Sequence, residues 1–102
     1  MAAYEAALQL PRVLLFKHSP VCPISSAARS EWRIFGVDHP DVPMLFVDVI
    51  GSRAVARGIA DACGVKHESP QAILFEHGEA VWNASHEAIT AGALEAAWAP
   101  RC

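Results

Sequence analysis

Two hydrophobic periods divide this chain. Val13-Leu14-Leu15-Phe16 and Met44-Leu45-Phe46-Val47-Asp48-Val49 are short, nearly unbroken apolar runs, the pattern of strands buried on both faces. Ala72-Ile73-Leu74-Phe75 and Ala80-Val81-Trp82 flank His77-Gly78-Glu79, which predicts a tight hairpin. Elsewhere apolar residues recur every three to four positions. Residues 2–10 carry Ala3, Ala7 and Leu10 on one face and Tyr4 and Leu8 on another, a short helix ended by Pro11. Residues 23–35 align Ile24, Ala28, Trp32 and Phe35, with Gly36 as the expected stop. Ser52 is the expected cap of a helix reaching about Cys63, with Val55, Ile59, Ala62 and Cys63 inward and Gly64 as its end. A last helix over 86–98 turns Ile89, Ala93, Ala96 and Ala97 inward and takes Ser85 as its cap. Between the second helix and second strand, Asp38-His39-Pro40-Asp41-Val42-Pro43 reads as a loop.

The order is α-β-α-β-α-β-β-α. Crossover helices between parallel strands, followed by a hairpin and a closing helix, make an α/β fold: a mixed four-stranded sheet covered on both faces. At 102 residues and 53% hydrophobic, the chain is expected to form one domain over 1–102 with a single real core. Its net charge is −3 and its eight lysines and arginines are scattered along the sequence, which argues against nucleic acid and anionic membranes as partners. The first residues lack the features of a secretory signal, and no apolar run approaches the roughly 18 residues needed to span a bilayer, so a cytoplasmic location is expected. Cysteines at 22, 63 and 102 show no zinc-type pairing and are odd in number. Neither a disulfide framework nor a metal site is expected, and Cys63 reads as core.

The chemistry concentrates in His18-Ser19-Pro20-Val21-Cys22-Pro23-Ile24-Ser25. Pro23 suits the first position of a helix, because its missing N–H costs nothing there. Cys22 would then sit at the helix cap, where unpaired N–H groups and the helix dipole favour thiolate over thiol and lower its pKa. A Cys-x-x-Cys would be a dithiol site, but the fourth position is Ser25, so the motif is monothiol: Cys22 can form a mixed disulfide and needs an outside thiol to release it. The Ser25 hydroxyl is within reach of the sulfur in a first helical turn, and the alternative for it is an exposed surface position. His18 is a second candidate to donate to the thiolate or supply positive charge, or is an ordinary loop residue.

The element order resembles the thioredoxin fold. With His18-Ser19, Cys22-Pro23-Ile24-Ser25, Val65-Lys66-His67-Glu68-Ser69-Pro70-Gln71 and Trp82-Asn83-Ala84-Ser85-His86 in hand, the chain resembles the monothiol bacilliredoxins from about Val13 to Thr90. One departure is Pro20-Val21, where a more polar pair is expected before the cysteine. The resemblance implies removal of bacillithiol from mixed disulfides on cytoplasmic proteins through Cys22. Bacillithiol serves there as co-substrate with no bound cofactor, and another bacillithiol or a reductase regenerates the enzyme. It also implies a cis Ser69–Pro70 bond that leaves the Ser69 backbone free to pair with substrate, and it places Trp82 and His86 in substrate-binding segments. The residues alone read Trp82 as core and His86 as solvated surface. Cys63 and Cys102 are the remaining thiols that could resolve the mixed disulfide. Two other functions stay open on this fold: a non-catalytic interaction module and an iron–sulfur cluster carrier.

Overall fold

The computed structural model describes residues 2–20 and 23–99. In chain order the elements are α1 (Ala2–Ala7), β1 (Arg12–His18), α2 (Pro23–Asp38), β2 (Met44–Asp48), α3 (Arg53–Cys63), β3 (Gln71–Glu76), β4 (Glu79–Ser85), a single 3-10 turn (His86–Ala88) and α4 (Ala91–Trp98). The sheet order is β2-β1-β3-β4. β1 and β2 run parallel, as their connection through α2 requires, and β3 is antiparallel to both β1 and β4.

Central strand β1 divides the core. Leu14 and Phe16 point to one face, where they meet Ala28, Trp32 and Phe35 of α2 and Leu94 and Ala97 of α4. Val13 and Leu15 point to the other, against Tyr4 of α1 and Ala56 and Ile59 of α3. Burial on both sides is why β1 reads as an unbroken apolar run. The same period of two carries on to the end of the strand, putting Lys17 on the α3 face and His18 on the α2 face. At its start, Arg12 bonds Glu76 (2.9 Å) and the Trp98 carbonyl (2.8 Å), and its guanidinium lies 4.2 Å from the Trp98 ring centre. That cation anchors the C-terminal end of α4, where the helix dipole favours it.

Helix α2 does not stop at Gly36. It runs to Asp38 and ends before Pro40, whose ring disfavours helical backbone at His39. Gly36 serves packing instead: a Cβ there would lie 3.3 Å from the Met44 sulfur. Ser52 stands before α3 without a side-chain cap bond, whereas Gly64 closes that helix at φ +74° with its N–H on the Ala60 carbonyl. α3 is also rotated relative to the expected stripe, so Ala56 is buried and Ala62 is exposed.

The hairpin closes in two residues, His77 and Gly78, both at positive φ, as a tight right-twisted hairpin requires. β4 is longer than expected because its pairing with β3 continues to Ser85, and a bulge follows Ala80. Phe75 pairs with Ala80 but Leu74 with Trp82, and the extra Val81 puts Ala80 and Trp82 on opposite faces. Ser85 therefore stays in the ladder opposite Gln71 and caps nothing; Thr90 caps α4 through a 3.0 Å bond from the Ala93 N–H. In α4, Leu94 is fully buried and Ala96 is exposed.

Candidate active site

The C-terminal ends of β1, β2 and β4 and the start of β3 share one edge of the sheet. His18 is level with Asp48, Lys17 with Gln71, and Gln71 with Ser85. The loop holding Cys22 leaves from this edge; Cys22 itself and Cys102 lie outside the described residues. α2 opens at Pro23, so its unpaired N–H groups face back toward that loop.

Ser25 is fully buried, which removes the surface reading of its hydroxyl. Its Oγ accepts the Ser19 N–H at 3.3 Å, tying the end of β1 to the first turn of α2. A hydroxyl that accepts here keeps its own proton for another acceptor.

His18 is 6% exposed and lies against Phe16 and Phe46, with ring centres 5.9 and 5.3 Å away. Burial, then the charge of Arg29, pushes its pKa below the usual histidine value, while the Asp48 carboxylate and the Ser25 backbone pull the other way. At neutral pH this ring offers a hydrogen-bond donor in place of positive charge. Its Nδ1 is buried with no hydrogen-bond partner among the described residues. Asp48 is occupied with the turn beyond β2: its Oδ1 accepts the N–H groups of Ile50 (2.9 Å) and Gly51 (3.0 Å), which hold its carboxyl below the usual range.

Across the edge, the Ser69–Pro70 bond is cis and Pro70 is buried. The Ser69 Oγ is also buried without a partner among the described residues. Gln71, 1% exposed, braces this loop, with its Nε2 on the Lys66 carbonyl at 3.0 Å and its Oε1 accepting from the Glu68 N–H at 3.5 Å. His86 closes onto the same loop: its N–H donates to the Pro70 carbonyl (3.1 Å) and its ring lies 3.9 Å from Glu68, at a φ of +55° that non-glycine residues seldom adopt. His86 also borders a recess against Ile24 and Ala27 of α2. Trp82 is not part of this edge. It pairs with Leu74, three residues up β4 from Ser85 and thus about 10 Å along the strand, and packs half-buried on the α2-side core. Cys63 packs half-buried on the opposite, α3-side core.

One site-edge residue escaped the sequence reading. Lys17 is fully buried, with its Nζ 3.2 Å from the His67 Nδ1. Burial lowers the pKa of Lys17; burial and then the charges of Lys17 and Arg57 lower that of His67. The signal was present as a charge at an inward position of a strand buried on both sides, where an ammonium is costly unless partnered. Among the described residues, no three His, Cys, Asp or Glu side chains converge as a metal set, and no helix is long and apolar enough to cross a membrane.

Known structures share this frame. One, described as having a thioredoxin fold, is 35% identical with a TM-score of 0.88 over 95% of this chain and 87% of its own. Trxlp from Edwardsiella tarda is 20% identical (TM-score 0.72, 93% and 89% covered), and oxidised mitochondrial thioredoxin 3 from Saccharomyces cerevisiae is 14% identical (TM-score 0.73, 94% and 85% covered). Those two share the fold alone. The family described as monothiol bacilliredoxin BrxC matches residues 3–94. Fold and family together make this a thiol oxidoreductase. From the thioredoxin frame, the Cys-Pro-Ile-Ser motif at the start of α2 and that match, it follows that the chain belongs to the monothiol bacilliredoxin family.

Proposed function

We propose that the protein removes bacillithiol from mixed disulfides on cytoplasmic proteins, with Cys22 as its one exchanging thiol. The Cys22 thiolate attacks the bacillithiol sulfur. The client–bacillithiol S–S bond breaks, a new S–S bond joins Cys22 to bacillithiol, and the client leaves as a thiolate that takes a proton from solvent. A second bacillithiol thiolate then attacks that adduct, freeing Cys22 and leaving as bacillithiol disulfide, which a reductase returns to thiol. No bound cofactor enters the cycle.

The observation that carries this reading is the environment prepared on both sides of the Cys22 loop. Ser25 is buried with no acceptor for its proton among the described residues, His18 is buried as a neutral donor, and the N–H groups of α2 face the loop. Across the edge, the Ser69 backbone and the buried Pro70 form the wall against which a client segment adds, with His86 holding that wall. Pro23 starts the helix. Trp82 contributes to the support of β4 behind this wall.

The test is competitive alkylation with iodoacetamide at pH 6.5, followed by mass spectrometry after exposure to bacillithiol disulfide. Cys22 is expected to label faster than Cys63 by tenfold or more, on the order of one unit of thiol pKa, and to carry the single adduct. Equal labelling rates, or an adduct on Cys63, would overturn the proposal.

A further inference from the structure

Four of the chain's eight lysines and arginines, Lys17, Arg53, Arg57 and Lys66, border one flank of the site edge, although the whole molecule is net negative. Arg53 and Arg57 lie four residues apart on α3 and so share a side of that helix. Two recesses meet at Arg57 and His67. One, about 190 Å³, is bounded by Val49, Ile50 and Arg53; the other, about 550 Å³, by Asp61, Gly64 and Lys66. Lys17 lies behind His67. Among the described residues none of these four cations forms an ion pair, while Arg12 does. Asp61 lines the wider recess, and Glu68 acts on the charge of His67 from the adjoining loop.

A buried ammonium whose partner is a neutral ring nitrogen is an unfavourable arrangement by itself. It also has a directional consequence. With Nδ1 accepting from Lys17, the neutral His67 ring carries its proton on Nε2 and has it to give. The narrower recess opens beside the reacting loop, since the N–H of Val49, one of its walls, donates to the His18 carbonyl at 2.9 Å. Guanidinium pairs in a recess bind carboxylates. A recess of about 190 Å³ has room for a small carboxylate-bearing molecule.

We infer that the groove formed by Arg53, Arg57, Lys66 and His67, backed by Lys17, is the subsite for the carboxylates of the small-thiol half of the disulfide substrate. The inference rests on the exchange reading of Cys22, and two measurements separate their failures. In the first, isotope-labelled Cys22→Ser protein is titrated with succinate, a dicarboxylate without sulfur, and with succinamide as the neutral control. Saturable amide shifts centred on Arg53, Arg57 and His67, a rise in the His67 pKa and an affinity about tenfold weaker in Arg53→Gln/Arg57→Gln are expected. Shifts that do not saturate, that survive the double substitution unchanged, or that an acidic peptide produces and succinate does not would overturn the subsite. In the second, the intact chain reacts with 3,3′-dithiodipropionate and with 2-hydroxyethyl disulfide. The ratio of the two rate constants is expected to fall about tenfold in Arg53→Gln/Arg57→Gln, and an unchanged ratio would overturn the inference. Inertness toward both disulfides, with succinate still bound, would overturn the exchange reading and support the carboxylate site.

Discussion

Lys17 and His18 are neighbours on one strand, both buried and both basic, yet they face opposite environments. His18 points to the α2 face, among Phe16, Phe46 and the loop that Ser25 ties down. Lys17 points to the α3 face, toward His67, Arg57 and the basic recess. The difference follows from the two-residue period of a strand, which delivers one basic group to each side of the reacting loop without any turn between them. It teaches that one strand end can present two kinds of surface: an aromatic-lined side holding a buried imidazole, and a cationic side centred on a buried amine.

Substitutions at the two residues should separate them. The largest effect is expected from Lys17→Ala, which removes a buried alkyl stem and leaves His67 without its donor, lowering stability in urea unfolding by about 2–4 kcal/mol. Lys17→Met keeps the volume and removes the desolvated charge, so its stability should equal or exceed that of the parent. A Met variant as unstable as the Ala variant would break the view that this amine is costly by itself. Next, Ser25→Ala should lose about 1–2 kcal/mol by orphaning the Ser19 N–H and should slow alkylation of Cys22. Unchanged alkylation with lowered stability would assign Ser25 to the loop alone.

The pH dependence sharpens the comparison. His18 and His67 have folded pKa values below the ordinary 6.5, so the unfolded chain binds more protons there. Their contribution to stability is present above 6.5 and is lost as pH falls through the folded values. Lys17 is lowered from 10.5 by the same cause, so stability should rise as pH climbs from its folded value toward 10.5. Tyr4, raised from 10.0, works against that rise once the pH climbs past about 10.0 toward its folded value. His18→Phe should flatten the acid limb in part, and Lys17→Met the alkaline limb. Urea midpoints measured from pH 5 to 10 check both, and an alkaline limb that survives Lys17→Met would refute the assignment. The smallest effect is expected from Thr90→Ala, about 1 kcal/mol for the lost cap of α4, with no change in Cys22 reactivity on either side.

The strands and the order of elements were legible because both depend on local periods. β1 reads as buried on two faces from Val13-Leu14-Leu15-Phe16 alone, and Pro23 marks the start of α2. Ends of elements were less legible. Gly36 looks like a stop, but the space it leaves for Met44 is a tertiary matter, and the polar group that caps α4 depends on how far β4 stays paired. Within the site, the Cys22-Pro23-Ile24-Ser25 spacing was legible as a motif with one thiol at the start of a helix. The burial of Ser25, which excludes the exposed surface position, was decided by the packing of α2 on β1.

What the sequence determined by itself is thus the alternation that builds the sheet and the solitary thiol ahead of a proline-started helix, since both are written in neighbouring residues. Only the tertiary structure decided which basic groups gather at the end of β1. Lys17 and His67 are 50 residues apart and meet at 3.2 Å, and Arg53, Arg57 and Lys66 border adjoining recesses only because α3 and the segment after it fold back together at His67. Charge acts through space, and sequence spacing carries no record of which distant residues folding will bring into the same few ångströms.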